Sequence, residues 1–121
     1  CILAHLLKES EVPFTAFLGG ISEDFNSNFV LEGTKYSVVE ADEFDRSFLQ
    51  LSPNVACITS MDADHLDIYG TSEELQQSFH DFTGKIKSGG KLFVKKDLPV
   101  EGITFGIEDG SDYRIENIEI E

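Results

Sequence analysis

The sequence predicts an α/β fold, a mainly parallel sheet flanked by helices. Three observations carry this. The apolar runs KYSVVE (35–40), NVACITS (54–60) and KLFVK (91–95) are short, uninterrupted and rich in β-branched residues. Such runs suit strands covered on both faces, as parallel strands are. Between the second and third runs lies a segment with helical periodicity, residues 71–88, and strand–helix–strand order is the signature of a parallel unit. The length, 121 residues with 40% hydrophobic side chains, fits one domain with a core of its own.

Taken in order, ILAHLLKE (2–9) places Ile2, Leu3, Leu6 and Leu7 on one helical face, and Pro13 closes the region. FTAFLGG (14–20) reads as a short buried strand running into a glycine pair. Residues 21–34 read as polar loop with a few apolar anchors. KYSVVE is a strand that stops at an acid, and RSFLQL (46–51) a turn or two of helix before Ser52-Pro53. NVACITS follows, with Cys57 expected as a buried thiol. Thr71-Ser72-Glu73-Glu74 holds a capping box. Leu75, Phe79, Phe82 and Ile86 then recur at helical spacing to Gly89-Gly90, which is expected to stop the helix. KLFVK and ITFGI (103–107) are strands. The alternation of the tail DYRIENIEIE slips, as in a bulged or frayed strand, and the sheet is expected to turn antiparallel here.

With 23 acidic against 9 basic residues, the formal net charge is −14. Nucleic-acid binding requires a basic footprint and anionic membranes attract polybasic segments, so both are disfavoured. No apolar run is long enough to span a bilayer. Ten Phe and three Tyr argue against disorder. Two cysteines make no disulfide framework, and a reducing, cytoplasmic setting is expected. The chain does not begin with Met and its first residues read as mid-helix, so a piece of a longer protein is expected.

Two clusters can carry chemistry. Glu40-Ala41-Asp42-Glu43-Phe44-Asp45 and Asp62-Ala63-Asp64-His65-Leu66-Asp67 each follow an apolar strand. Carboxyl ends of strands line the ligand crevice of open α/β sheets. Crowded carboxylates repel unless a cation or a donor intervenes. Mg²⁺ prefers oxygen ligands and shares them with nucleotide phosphates. Solvated loop acids are the plain alternative. His65, flanked by Asp64 and Asp67, is a candidate ligand or acid–base group, or a simple ion-pair partner. His5 and His80, on helices without acids around them, are read as structural or surface residues. Gly19-Gly20 could cradle a ligand or form a plain turn. There is no G-x-x-x-x-G-K-[ST] and no G-x-G-x-x-G.

The stretch VVEADEFDRSFLQLSPNVACITSMDADHLDIYG (38–70), with its E-A-D-E-x-D-x-S-F-L run and D-H-x-D-x-Y pattern, resembles the central ATP-binding domain of the Mur ligases of peptidoglycan synthesis. CILAHLLKES looks like the helix that follows that family's phosphate loop. The resemblance implies a P-loop-type α/β sheet, with residues 1–121 a partial central domain. The phosphate loop is expected upstream of Cys1, and the N- and C-terminal domains outside the chain. It further implies Glu40 as a carboxylate on Mg²⁺ and His65 as a ligand of a second Mg²⁺, both catalytic. Gly19, Gly20, Asp42, Glu43 and Asp64 would be substrate-side. Within the family the match is to the branch that joins L-alanine to UDP-N-acetylmuramate with ATP as co-substrate, by way of an acyl phosphate. The expectation for the isolated chain is no activity. The alternatives are the recycling branch, which takes a ready-made tripeptide, and a non-catalytic metal-binding or interaction module. Ser60 departs from the family, where Asn is usual.

Overall fold

The computed structural model describes residues 2–62 and 70–119. These form two compact units, Cys1–Glu43 and Phe44–Glu121, each with its own sheet.

In the first unit, helix α1 (Ile2–Glu9) packs on strand β1 (Phe14–Ser22). The helix turns in Ala4, fully buried, and the half-buried Leu7. Ile2, Leu3 and Leu6, expected on the packed face, are exposed. β1 pairs antiparallel with β2 (Ser27–Leu31) and parallel with β3 (Tyr36–Val39), giving the order β2-β1-β3. Alternation along β1 sends Phe14, Ala16 and Leu18 inward, where they meet Val30, Phe25 and Val38. Burying a side chain the size of Phe14 contributes about 1.5–3 kcal/mol. To reach β3, the chain must cross the start of β1, and it does so at Gly33. There φ is +134°, and a Cβ would lie 2.5 Å from that of Pro13. The crossing is tied down by Thr15 Oγ1 donating to the Gly33 carbonyl at 2.8 Å and by the Glu32 N–H donating to Phe14 O at 2.8 Å.

The second unit opens with a short 3-10 helix, Phe44–Gln50, then β4 (Val55–Ile58), α2 (Ser72–Thr83), β5 (Lys91–Lys95), β6 (Ile103–Gly106) and β7 (Tyr113–Arg114). The four strands lie in chain order and every pairing is parallel. Thr71 caps α2, its hydroxyl accepting from the Glu74 N–H at 3.2 Å, as the capping box predicts. Leu75, Ser78 and Phe82 are the buried residues of α2. Phe82 joins Phe48 and Ala56, with Phe79, Ile86 and Leu92 around them.

The structure departs from the sequence reading in further places. Residues 27–31, read as loop, are β2. Gly19 and Gly20 lie inside β1, not in a turn after it, and the β1–β2 register shifts between Phe17 and Ser22. α2 stops at Thr83; Lys85 and Ile86 donate to Phe82 O and Thr83 O in i→i−3 turns, and Gly89, at φ +78°, lies beyond the helix. The expected late antiparallel turn is absent among the described residues, since β5, β6 and β7 run parallel through the short links 96–102 and 107–112. Cys57 faces outward and is exposed, because β4 buries only Ala56 and Ile58. Partial desolvation by its neighbours nonetheless pushes its thiol pKa up.

Candidate functional site

Glu40 stands one residue beyond β3, at its carboxyl end. The β1–β3 ladder extends to it, its N–H donating to Phe17 O at 2.9 Å. Its carboxylate lies over Gly19, where a Cβ would come within 2.7 Å of Glu40 Oε1. Two residues that the sequence offers separately, a strand-end acid and a glycine, therefore meet. Glycine here makes room for the carboxylate. Gly20 has no atom within 4 Å of where a Cβ would be. Asp42 is exposed and Glu43 half-buried on the segment that follows.

The second acidic run begins in the described structure with Asp62. Ser60 Oγ donates to Asp62 Oδ2 at 2.5 Å, and the Asp62 N–H donates to Ser60 Oγ at 3.0 Å. Ser60 thus closes a local turn with the acid two residues on. Asp64 and His65 lie outside the described residues. β3 and β4, which carry the two acidic runs, belong to separate sheets. His5 lies 3.7 Å from Asp24, an exposed pair, and His80 is exposed on α2. Arg46 pairs with Glu74 at 3.5 Å, both about half exposed, so this pair contributes little to stability.

Among the described residues, no three His, Cys, Asp or Glu side chains are grouped to hold a metal ion. A single strand-end carboxylate fits Mg²⁺, which takes one or two protein carboxylates and completes its shell with water and phosphate. No helix among the described residues is long and apolar enough to cross a membrane.

The family model described as Mur ligase middle domain matches residues 4–121. The chain belongs to the Mur ligase middle-domain family. A UDP-N-acetylmuramate–L-alanine ligase of Christiangramia forsetii is 63% identical over 99% of this chain and 26% of its own length. One of Flavobacterium johnsoniae is 53% identical over 99% of this chain and 27% of its own length. The crystal structure of the UDP-N-acetylmuramate-alanine ligase MurC of Thermotoga maritima superposes with a TM-score of 0.66 at 27% identity, covering 89% of this chain and 26% of that one. This Mur ligase middle domain therefore spans about a quarter of the length of the relatives it matches. Its α/β architecture agrees with the sequence reading.

Proposed function

We propose that this segment belongs to an ATP-dependent ligase that joins L-alanine to UDP-N-acetylmuramate in peptidoglycan synthesis, in the cytoplasm. The observation that carries the reading is the 63% identity, over nearly the whole chain, to a ligase of that name. The site geometry supports it, since a carboxylate at the end of a parallel strand is where a nucleotide enzyme needs one.

In this reading, Glu40 would hold one Mg²⁺ and His65 a second. Bound Mg²⁺ neutralises charge developing on the ATP phosphates. The muramoyl carboxylate attacks the γ-phosphorus, the bond to ADP breaks, and an acyl phosphate forms. The amine of L-alanine then attacks the acyl carbon, inorganic phosphate leaves, and the nitrogen loses a proton. Asp42, Glu43 and Asp64, with Gly19 and Gly20, border the muramoyl substrate.

The test uses the full-length ligase carrying this segment. Glu40→Ala and His65→Ala should each lower kcat by orders of magnitude, and Glu40→Ala, at an exposed position, should leave the urea midpoint close to the parent's. His80→Ala should be nearly silent. Full activity in Glu40→Ala would refute its role. Faster turnover with a ready-made tripeptide than with L-alanine would overturn the substrate assignment.

A further inference from the structure

We propose that Gly19 is a positioning residue for Glu40, its missing side chain fixing where the carboxylate rests; this builds on the reading of Glu40 as a metal-holding group. The two glycines of β1 form a natural comparison. Neither has a left-handed φ, so the backbone at both positions accepts an L side chain. Glycine inside a strand forgoes side-chain packing and weakens it. At Gly20 the structure offers no steric reason for it. At Gly19 it does. An added Cβ would stand 2.7 Å from Glu40 Oε1, 3.1 Å from its Cδ and 3.7 Å from its Cγ.

All three of those atoms belong to one flexible, exposed side chain, and none to backbone. A methyl group at position 19 is therefore accommodated by moving the carboxylate, and the fold is not strained. Regaining ordinary contact at 3.4 Å needs a shift of about 0.7 Å. Catalytic groups must be held within roughly 0.5 Å of their working position. The displacement thus exceeds the tolerance of the site, and it falls on the Glu40 side chain and not on the backbone of the strand. A merely structural glycine would show the opposite pattern, a loss of stability with Glu40 left in place.

The experiment compares Gly19→Ala, Gly20→Ala and Glu40→Ala in the full-length ligase. Binding of Mn²⁺, as a probe for Mg²⁺, is followed by electron paramagnetic resonance with a non-hydrolysable ATP analogue present. Mg²⁺ dependence of turnover and urea midpoints are measured alongside. Gly19→Ala should weaken Mn²⁺ binding about tenfold and lower kcat roughly a hundredfold, the scale of a misplacement near 1 Å. Gly20→Ala, with nothing within 4 Å of its added Cβ, should bind Mn²⁺ within about twofold of the parent. Urea midpoints of the two glycine variants should match or exceed the parent's. Equal Mn²⁺ binding in Gly19→Ala and Gly20→Ala, with Glu40→Ala impaired, overturns the role of Gly19 and leaves that of Glu40 standing. Unimpaired Mn²⁺ binding in Glu40→Ala overturns the reading of Glu40 itself. A urea midpoint lowered in Gly19→Ala alone assigns the residue to the fold and also overturns the proposal.

Discussion

Phe48→Ala is the substitution that most directly tests how the second unit is held together. Phe48 is 3% exposed although it sits on a short 3-10 helix, an element with little stability of its own. Its ring centroid lies 5.5 Å from that of Phe79 and 5.1 Å from that of Phe82, both tilted pairs. Removing a buried Phe ring costs about 3–5 kcal/mol. Each aromatic pair accounts for about 0.5–1.5 kcal/mol beyond area burial. Set against a total stability of about 5–15 kcal/mol, the loss is a large share. Urea unfolding followed by circular dichroism should show the midpoint fall by about 2 M at an ordinary slope. Phe79→Ala should cost less, because Phe79 is only half-buried. A double-mutant cycle of Phe48→Ala with Phe82→Ala should return a coupling of about 0.5–1.5 kcal/mol. A single-mutant loss below about 1 kcal/mol, or strictly additive variants, would show that the 3-10 helix does not seal this core.

Thr71→Ala should lower stability by about 1 kcal/mol in the same assay, since it removes the cap on the Glu74 N–H; no change would mean that water replaces the cap without cost. The Asp112 carboxylate accepts from the Thr104 N–H and hydroxyl, each at 2.8 Å, and these bonds, the backbone one first, hold its pKa below the usual aspartate value. A lowered folded-state pKa stabilises above the unfolded value and is lost as pH falls through the folded one. NMR titration should therefore place Asp112 below ordinary Asp, and Thr104→Val should raise it part of the way, with the backbone bond remaining; an unchanged midpoint would refute the hydroxyl's share. Cys57 should be labelled by a thiol reagent in the native chain, at a rate that climbs with pH above the usual thiol range. Labelling only in denaturant would contradict its exposure.

Elements whose signals are local were legible in the sequence. α2 announces itself through its cap and the spacing of Leu75, Phe79 and Phe82, and KLFVK through its apolar run. What escaped depends on partners far along the chain. SNFVL reads as polar because β2 buries only Val30, and it becomes a strand by pairing with β1. Periodicity overstates the length of α2 because Ile86 keeps the helical spacing although it packs from a turn. Links as short as 96–102 and 107–112 ordinarily join antiparallel strands, so parallel order was not readable there. An uninterrupted apolar strand suggests cover on both faces, yet Val55 is 59% exposed. For the site, Glu40, Gly19 and Gly20 were identified singly. The meeting of Glu40 with Gly19 needs the β1–β3 register, which passes over β2 in the chain. Asp64 and His65, the other half of the expected site, lie outside the described residues.

The β1–β2 and β4–β5 pairings differ in how far along the chain the partners lie, and this sets an order of assembly. β1 meets β2 across residues 23–26, a closure that hairpins make in microseconds. β4 meets β5 only after residues 59–90 have been traversed, with α2 on the way. Closing a longer loop costs more entropy before any contact is gained, so such pairings come late. Pulse-labelled hydrogen exchange during refolding should protect the amides of Ala16 and Phe29 ahead of that of Cys57 on β4, and simultaneous protection would show one shared barrier. Under this order, weakening the start of α2 at Thr71 slows the joining of β4 to β5 and leaves the rate of the hairpin untouched.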